Sequence, residues 1–555
     1  MISNFLNHKT KSITSAAVIL IITTFLAKII SLLRDRILAS FFGAGRDLDI
    51  YYAAFRIPDF LFNILIIGAL SSALIPVFAE HWEKVSQKKA WLLFNNVLCV
   101  FIFLILILSF LLFIFTPQLM KVVAPGFQGE DMALVVLLTR IMFLSPLLLT
   151  ISNILGALLQ YFSKFLIYSF APILYNIGII IGALFFVPRI GLLGLAFGVI
   201  LGSFLHLLIQ VPTALLSGFK FAPVFNFKDK GMRKIFKLMI PRTVGVAATQ
   251  INLVVITAIA SLLSVGSIAV FNLSNNLQYA PISLFGISFT IAAFPSLSKS
   301  FSLGDKKKFI KKFTSTFSQI IFFIIPFSFF IFILRAQIVR IILGAGNFSW
   351  SDTRLTAACL GVFAFSLFAQ GLIPLLSQAF YATQDTKTPV KINIFSIVFN
   401  IVFSLFFVWA LINFSGFQSF LGNFLKIGDI KNISVVGLPL AFSLTTILNI
   451  FWLLAAFKKR MKKDWDIKLR NSFLRIFLLS LYCAVLCYIL LYIFAPIFGL
   501  KTFWGVFFQA FFAGGLSIVL YIYLARKFNF PEYHLITGSL LGRVSRHVVE
   551  VEAEL

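Results

Sequence analysis

Long apolar runs alternate with short polar segments along almost the whole chain. A helix needs about 20 mostly apolar residues to cross the hydrocarbon core of a bilayer. Runs of that length fall at 13–33, 51–78, 90–116, 132–158, 165–187, 191–216, 238–263, 268–297, 313–334, 354–380, 389–412, 434–457, 472–495 and 502–526. Lipid offers backbone groups no partner, so each run is expected to be a helix. The period-two alternation of a membrane barrel strand is absent. The expected fold is an all-α membrane protein with about fourteen transmembrane helices. The first run, Ile13–Leu33, is too long for the apolar core of a cleavable leader and lacks a small-residue cleavage site, so it reads as the first span.

The pattern also repeats. Leu174-Tyr175-Asn176-Ile177 in the fifth span is matched by Val398-Phe399-Asn400-Ile401 in the eleventh. Leu195-Ala196-Phe197 in the sixth is matched by Leu440-Ala441-Phe442 in the twelfth, and Ala73 with Pro76 in the second by Ala292 with Pro295 in the eighth. A longer connection at about 413–433 explains the wider displacement of the twelfth span. Six spans followed by six related spans predict an N-terminal lobe over 1–217 and a C-terminal lobe over 218–460. Residues 461–555 then hold two further spans and a cytoplasmic tail. An even number of helices per repeat gives both lobes the same orientation, so a pseudo-twofold pair around a central cavity is expected.

Composition supports the membrane reading: 60% of residues are hydrophobic and 12% charged, against about 45–50% and about 25% in soluble domains. The 70 Phe residues suit lipid-facing helices. A net charge of +28 in a soluble protein would raise nucleic-acid binding. Here the basic residues sit in short runs between apolar segments, so no nucleic acid is expected and the runs set topology. The richest, Lys220–Lys237, Lys299–Lys312 and Lys458–Arg470, share a side with the N-terminus, which puts both termini in the cytoplasm. Cys99, Cys359, Cys483 and Cys487 all lie inside apolar spans, without disulfide or metal-site spacing. No nucleotide-binding loop and no nucleophile–base arrangement stands out. Neither an enzyme nor a cofactor is expected.

Ionisable groups in lipid cost several kcal/mol and persist mainly where they face a polar cavity. They cluster in the first third of the chain. Lys28 lies in the first span, with Arg34, Asp35 and Arg36 at its end; Asp49 precedes the second span, which holds Arg56 and Asp59 on either side of Pro58. Arg56 and Asp59 share a helix face and can pair, as can Lys28 and Asp35. The cluster reads either as a cationic site for an anionic headgroup, with Arg suited to phosphate oxygens, or as ion pairs that fix helix ends. Asn272, Asn275, Asn276 and Tyr279 form one stripe of the eighth span, and Thr249, Gln250 and Asn252 lie in the seventh. These amides either hold helices together or line a hydrophilic cavity. Arg140 in the fourth span is a further cavity candidate, whereas Arg242 reads as a snorkelling or capping group and His206 as a packing residue.

The stretch Arg34-Asp35-Arg36-Ile37-Leu38-Ala39-Ser40-Phe41-Phe42-Gly43-Ala44-Gly45 resembles the signature of the MurJ (MviN) family, within the multidrug/oligosaccharidyl-lipid/polysaccharide exporter superfamily. The likeness continues through Leu48-Asp49, Ala54-Phe55-Arg56-Ile57-Pro58, Gly68-Ala69-Leu70-Ser71 and Ile75-Pro76-Val77-Phe78-Ala79-Glu80. Ala124-Pro125-Gly126-Phe127, Gln250-Ile251-Asn252, Pro295-Ser296-Leu297-Ser298-Lys299-Ser300-Phe301 and Asp385-Thr386-Lys387-Thr388-Pro389-Val390-Lys391 also look like family motifs.

The resemblance implies a flippase that carries the undecaprenyl-pyrophosphate-linked peptidoglycan precursor, lipid II, across a bacterial inner membrane by alternating access. It implies that the lipid tail rides a groove formed by the last two helices, and that Arg34, Lys28, Asp35 and Asp49 sit at headgroup positions. Arg56, Asn275 and Asn276 complete the expected substrate contacts, with Arg140, Gln250, Asn252 and Asn272 as possible lining. Expected partners are the lipid-linked precursor, membrane lipids and cell-wall synthesis proteins. Coupling to an ion or to the membrane potential is open, and no ion is named. The chain departs from the family pattern at Phe62 or Asn63, Ile67 and Asn276, where charged residues are common, at Asn275 and Ile256, where carboxylates occur, and at Ser31, where a glycine is usual. Competing functions are transport of another polyprenyl-linked glycan, small-molecule antiport, and a non-transporting scaffold of the cell-wall machinery.

Overall fold

The computed structural model describes residues 13–67, 70–461, 468–500 and 502–534. Gly68-Ala69, residues 462–467 and the tail beyond 534 lie outside the described residues, as does the side chain of Arg242. All regular structure among the described residues is helical. Each of the fourteen expected spans falls on helical segments. Ten helices are long and apolar enough to cross a membrane, or up to twelve if two bent pairs each count as one span. The other two expected spans lie in the helix Ile13–Phe42 and in a chain of shorter helices from Arg46 to Lys84, so the count of fourteen stays an expectation.

The chain forms two compact packing units. One holds residues up to Asn272 together with Ile342–Ser349; the other holds Leu273–Ile341 and the chain from Trp350 onward. This division follows packing, whereas the expected six-span lobes follow the repeat, and the two boundaries differ.

The breaks inside spans carry the repeat more clearly than the sequence does. The second span runs as Arg46–Ala54, Arg56–Phe62, a π-turn at Asn63–Ile67 and then Leu70–Lys84. The eighth runs as Ser267–Pro281, a π-turn at Ile282–Ile287 and then Ser288–Ser302. Such turns accommodate one extra residue and recur at functional positions. The fourth span breaks between Met142 and Leu144, and the tenth between Ala364 and Leu367. Both end on a left-handed residue, Ser163 (φ 59°) and Gln384 (φ 60°). The next amide then bonds back to a helical carbonyl, Lys164 N–H to Leu159 O at 2.8 Å and Asp385 N–H to Phe380 O at 3.0 Å. Such reverse bonds satisfy carbonyls that a helix end would otherwise leave open. In each repeat a serine at the break also binds a serine of the sixth helix: Ser145 to Ser203 at 2.6 Å, and Ser366 to Ser443 at 3.1 Å.

The hairpins that close the repeats pack by different means. Helices Phe165–Ile181 and Leu193–Leu216 meet through glycines. A Cβ on Gly178 would lie 2.2 Å from the Gly202 Cα, and one on Gly182 would lie 2.4 Å from the Gly198 Cα. Small residues allow this approach, which dispersion then rewards. Helices Lys387–Asn413 and Gly437–Met461 instead bury polar groups, with Asn449 donating to Asn393 at 3.0 Å and Asn400, Ser404 and Thr445 buried nearby on the same two helices.

Candidate functional site

The helix Ile13–Phe42 continues nine residues past the expected end of the first span. Arg34 and Asp35 therefore lie inside a helix and not at its terminus. They stay helical because each neutralises the other. Nε and Nη2 of Arg34 donate to one oxygen of Asp35 at 3.0 and 2.7 Å, and Nη1 donates to the Asn176 amide oxygen at 2.9 Å. Asn176, in the helix Phe165–Ile181, is held in turn by its own bond to Pro172 O at 2.9 Å. The Asp35 side chain is 2% exposed, whereas that of Arg34 is 17% exposed. The Arg34 side chain is thus partly exposed while the carboxylate it binds is buried. Charge-assisted bonds of this kind are short and directional, and a phosphate oxygen presents the same acceptor geometry to Arg. Lys28 is half-buried in the same helix, two turns before Asp35, so its ammonium adds positive charge roughly 10 Å along the axis.

Arg56 behaves differently from expectation. It forms no ion pair with Asp59. It reaches instead to Thr257 Oγ1 at 2.7 Å and to the Asn272 amide oxygen at 2.6 Å. Arg56 and Asn272, both candidates from the sequence, are thus joined, and the bonds tie the helix Arg56–Phe62 to the helices Lys230–Ser261 and Ser267–Pro281. Asp49 was expected at a headgroup position. Its two oxygens accept from the backbone amides of Gly266 and Ala269 at 2.7 and 2.8 Å. It caps the helix that starts at Ser267, where a carboxylate meets open N–H groups and a favourable dipole.

Asn275 takes a bond from Gln278 at 2.9 Å; Gln278 accepts from Gln370 at 2.8 Å, and Gln370 also donates to Ser366 at 2.9 Å. Asn275 therefore belongs to an amide chain. The sequence analysis missed Gln278 and Gln370. The signal for Gln278 was its three-residue spacing from Asn275 on a helix; nothing local marked Gln370. Asn276 is half-buried on the same helix. Gln250 is half-buried and Asn252 is 8% exposed, with an amide oxygen that has no partner. Arg140 was expected as possible cavity lining. It binds the Phe113 carbonyl at 3.3 Å and stacks 5.0 Å from the Phe113 ring, at the C-terminal end of the helix Gln87–Ile114. A cation suits that end of a helix, which explains its place without a cavity. His206 pairs with Ser152 Oγ at 2.7 Å, and Gln210 donates to the same oxygen at 2.9 Å, a satisfied packing network as expected. Among the described residues no three His, Cys, Asp or Glu side chains gather as a metal site.

The chain is similar to known proteins over most of its length. A family model described as "Lipid II flippase MurJ" matches residues 38–511. A probable lipid II flippase MurJ of Haemophilus influenzae is 31% identical over 475 residues, 82% of this chain and 89% of that protein. One from Buchnera aphidicola of Acyrthosiphon pisum is 28% identical over 507 residues, 90% of this chain and 94% of that protein. The solved structure of a lipid II flippase MurJ in an inward closed conformation superposes with a TM-score of 0.73 at 24% identity, covering 92% of this chain and 99% of that one. An inward-facing multidrug MATE transporter shares the fold at a TM-score of 0.63 and 14% identity, covering 79% of this chain and 96% of its own. The chain is a multi-pass membrane protein that belongs to the MurJ lipid II flippase family.

Proposed function

We propose that this protein carries lipid II, the polyprenyl-pyrophosphate-linked peptidoglycan precursor, from the cytoplasmic to the outer leaflet by alternating access. The observation that supports this most is the Arg34–Asp35–Asn176 arrangement: an arginine inside a membrane helix, partly exposed, with its partners fixed. The pyrophosphate takes the two of the five Arg34 N–H donors that Asp35 and Asn176 leave over, and Lys28 adds a second positive charge. Arg56, tied to Thr257 and Asn272, positions the second span and does not touch the headgroup. In this reading the chain sits in the inner membrane with both termini cytoplasmic. The driving ion or potential and contacts with cell-wall synthesis proteins belong to the same proposal. The names of the relatives at 31% and 28% identity favour lipid II over another polyprenyl-linked glycan.

The test is reconstitution in liposomes with fluorescent lipid II, reading its arrival in the opposite leaflet. The wild-type protein should transport, and Arg34→Ala should lose transport when compared at equal amounts of folded protein in the vesicles. A folded wild-type protein that neither transports nor binds lipid II would sink the proposal. Full activity of Arg34→Ala would remove Arg34 from the site.

A further inference from the structure

A second lipid site appears in the other packing unit, away from the Arg34 cluster in the chain. Between the helices Lys306–Leu343 and Lys468–Phe498 runs an apolar groove of about 400 Å³, lined by Phe329, Phe332, Phe365, Phe424, Phe473 and Phe477 among others. It continues into a polar mouth of about 490 Å³ that shares Phe332, Phe424 and Tyr488 with it. The mouth holds three cations, Arg335, Arg354 and Lys426. Asp429 and the Lys426 carbonyl engage Arg354, so that charge is spent. Arg335 donates through Nη1 to the Phe332 carbonyl of its own helix at 2.6 Å and stacks 4.7 Å from the Phe332 ring. It is half-buried and lines the mouth, and among the described residues no carboxylate pairs with it.

Two further features point to a ligand with a polar head. Gln509 lines the mouth, is 3% exposed, and donates to Leu491 O at 2.8 Å, yet its amide oxygen has no partner. The Gln337 oxygen, also in the mouth, is likewise unpartnered. Buried acceptors without donors are rare and costly. Lys426 caps the helix Ser415–Leu425 in a left-handed conformation, φ 61° and ψ 42°, where glycine carries no steric cost. The lysine there places its ammonium 6.0 Å from the Tyr488 ring.

We infer that this groove and mouth bind an anionic glycerophospholipid. One acyl chain lies along the apolar stretch, the phosphate sits between Arg335 and Lys426, and a glycerol hydroxyl donates to Gln509. The apolar volume is within the about 300–1,000 Å³ of pockets for drug-sized ligands, which suits one acyl chain and not a long polyprenol. In the orientation expected from the basic runs, the helix Lys306–Leu343 enters from the cytoplasm, so the mouth opens in the outer leaflet. The inference rests on the membrane reading of the helices and not on lipid II transport.

Thermal melting of the delipidated, purified full chain tests it, with dioleoyl phosphatidylglycerol or dioleoyl phosphatidylcholine added. Phosphatidylglycerol should raise the melting temperature and phosphatidylcholine should not. Lys426→Gly, which the backbone accepts, and Arg335→Gln should each weaken the phosphatidylglycerol response about tenfold, the size expected for one charge-assisted bond. Arg34→Ala should leave that response unchanged, which separates this site from the transport site. Equal responses to both lipids, or undiminished affinity in both mouth variants, would overturn the inference. A shift that depends on Lys426 with undecaprenyl phosphate but not with phosphatidylglycerol would also overturn it and assign the groove to the carried lipid.

Discussion

In the second span a π-turn follows a short helix carrying Arg56 and Asp59; in the eighth a π-turn follows a helix carrying Asn275 and Gln278. The displacement that takes Ala73 to Ala292 takes Arg56 to Asn275, Asp59 to Gln278 and Asn63 to Ile282. The backbone break recurs in register while the chemistry around it changes. Arg56 reaches out to two other helices, whereas Asn275 and Gln278 bond to each other and pass the chain on to Gln370. The fifth and eleventh spans differ in the same way. Asn176 gives its oxygen to Arg34, while the matching Asn400 oxygen is buried without a partner. The repeat therefore fixes where helices bend, and the first copy alone uses those bends to hold charge.

The comparison can be broken at its packing first. Gly178→Leu forces a side chain into the Gly202 backbone. It should cost about 3 kcal/mol, the upper part of the overpacking range, and lower the yield of folded protein in membranes. The matching Val402 is 54% exposed, so Val402→Leu should stay within about 0.5 kcal/mol. Equal losses at both positions would show that the two hairpins pack alike.

Arg56→Leu comes next. It leaves the Asn272 oxygen without its donor and removes the nearest positive charge to Asp59. A loss of about 2–3 kcal/mol is expected, against about 1 kcal/mol for Asn275→Leu, since bonds from charged groups are worth more than neutral ones. Thermal melting in detergent reads both. Similar losses would mean that the charge adds nothing beyond the amide chain.

The smallest effect lies in the matched turns. Burial works against the Asp385 carboxylate, but Thr388 N–H at 3.0 Å, Thr388 Oγ1 at 2.8 Å and Arg460 at 2.9 Å outweigh it and hold its pKa below the usual value. A depressed folded pKa stabilises the turn above the ordinary carboxylate value of about 3.9, and that contribution disappears as pH falls through the lower folded value. Hydrogen exchange around 383–388 should therefore quicken below about pH 4. The matching turn carries Lys164 instead, and exchange around 161–165 should show no such step. An equal response in both turns would point to general acid loosening.

The helices were legible because twenty apolar residues in a row leave few alternatives. Short matches such as Asn176 and Asn400 pointed to an internal repeat, and the helix breaks recur with it. The breaks were not, since a π-turn arises from packing around Pro281 and Asn63 and leaves no periodic mark. Arg34 and Asp35 were read at a helix end because charge usually ends a span; their mutual bond lets the helix run to Phe42. The partners of Asp49, the amides of Gly266 and Ala269, were not legible because they lie far away in sequence. The Phe113 carbonyl that binds Arg140 likewise carries no sequence signature.

The central claim is that the Arg34–Asp35 pair holds the pyrophosphate. Arg34→Ala alone strands a buried carboxylate, a change that costs about 3–5 kcal/mol, so its loss of activity mixes folding with binding. The direct measurement is lipid II binding by the double variant Arg34→Ala/Asp35→Asn, which removes both charges at once. The account predicts melting close to wild type with lipid II affinity down about tenfold or more. Wild-type affinity in the folded double variant would contradict it and place the pyrophosphate elsewhere.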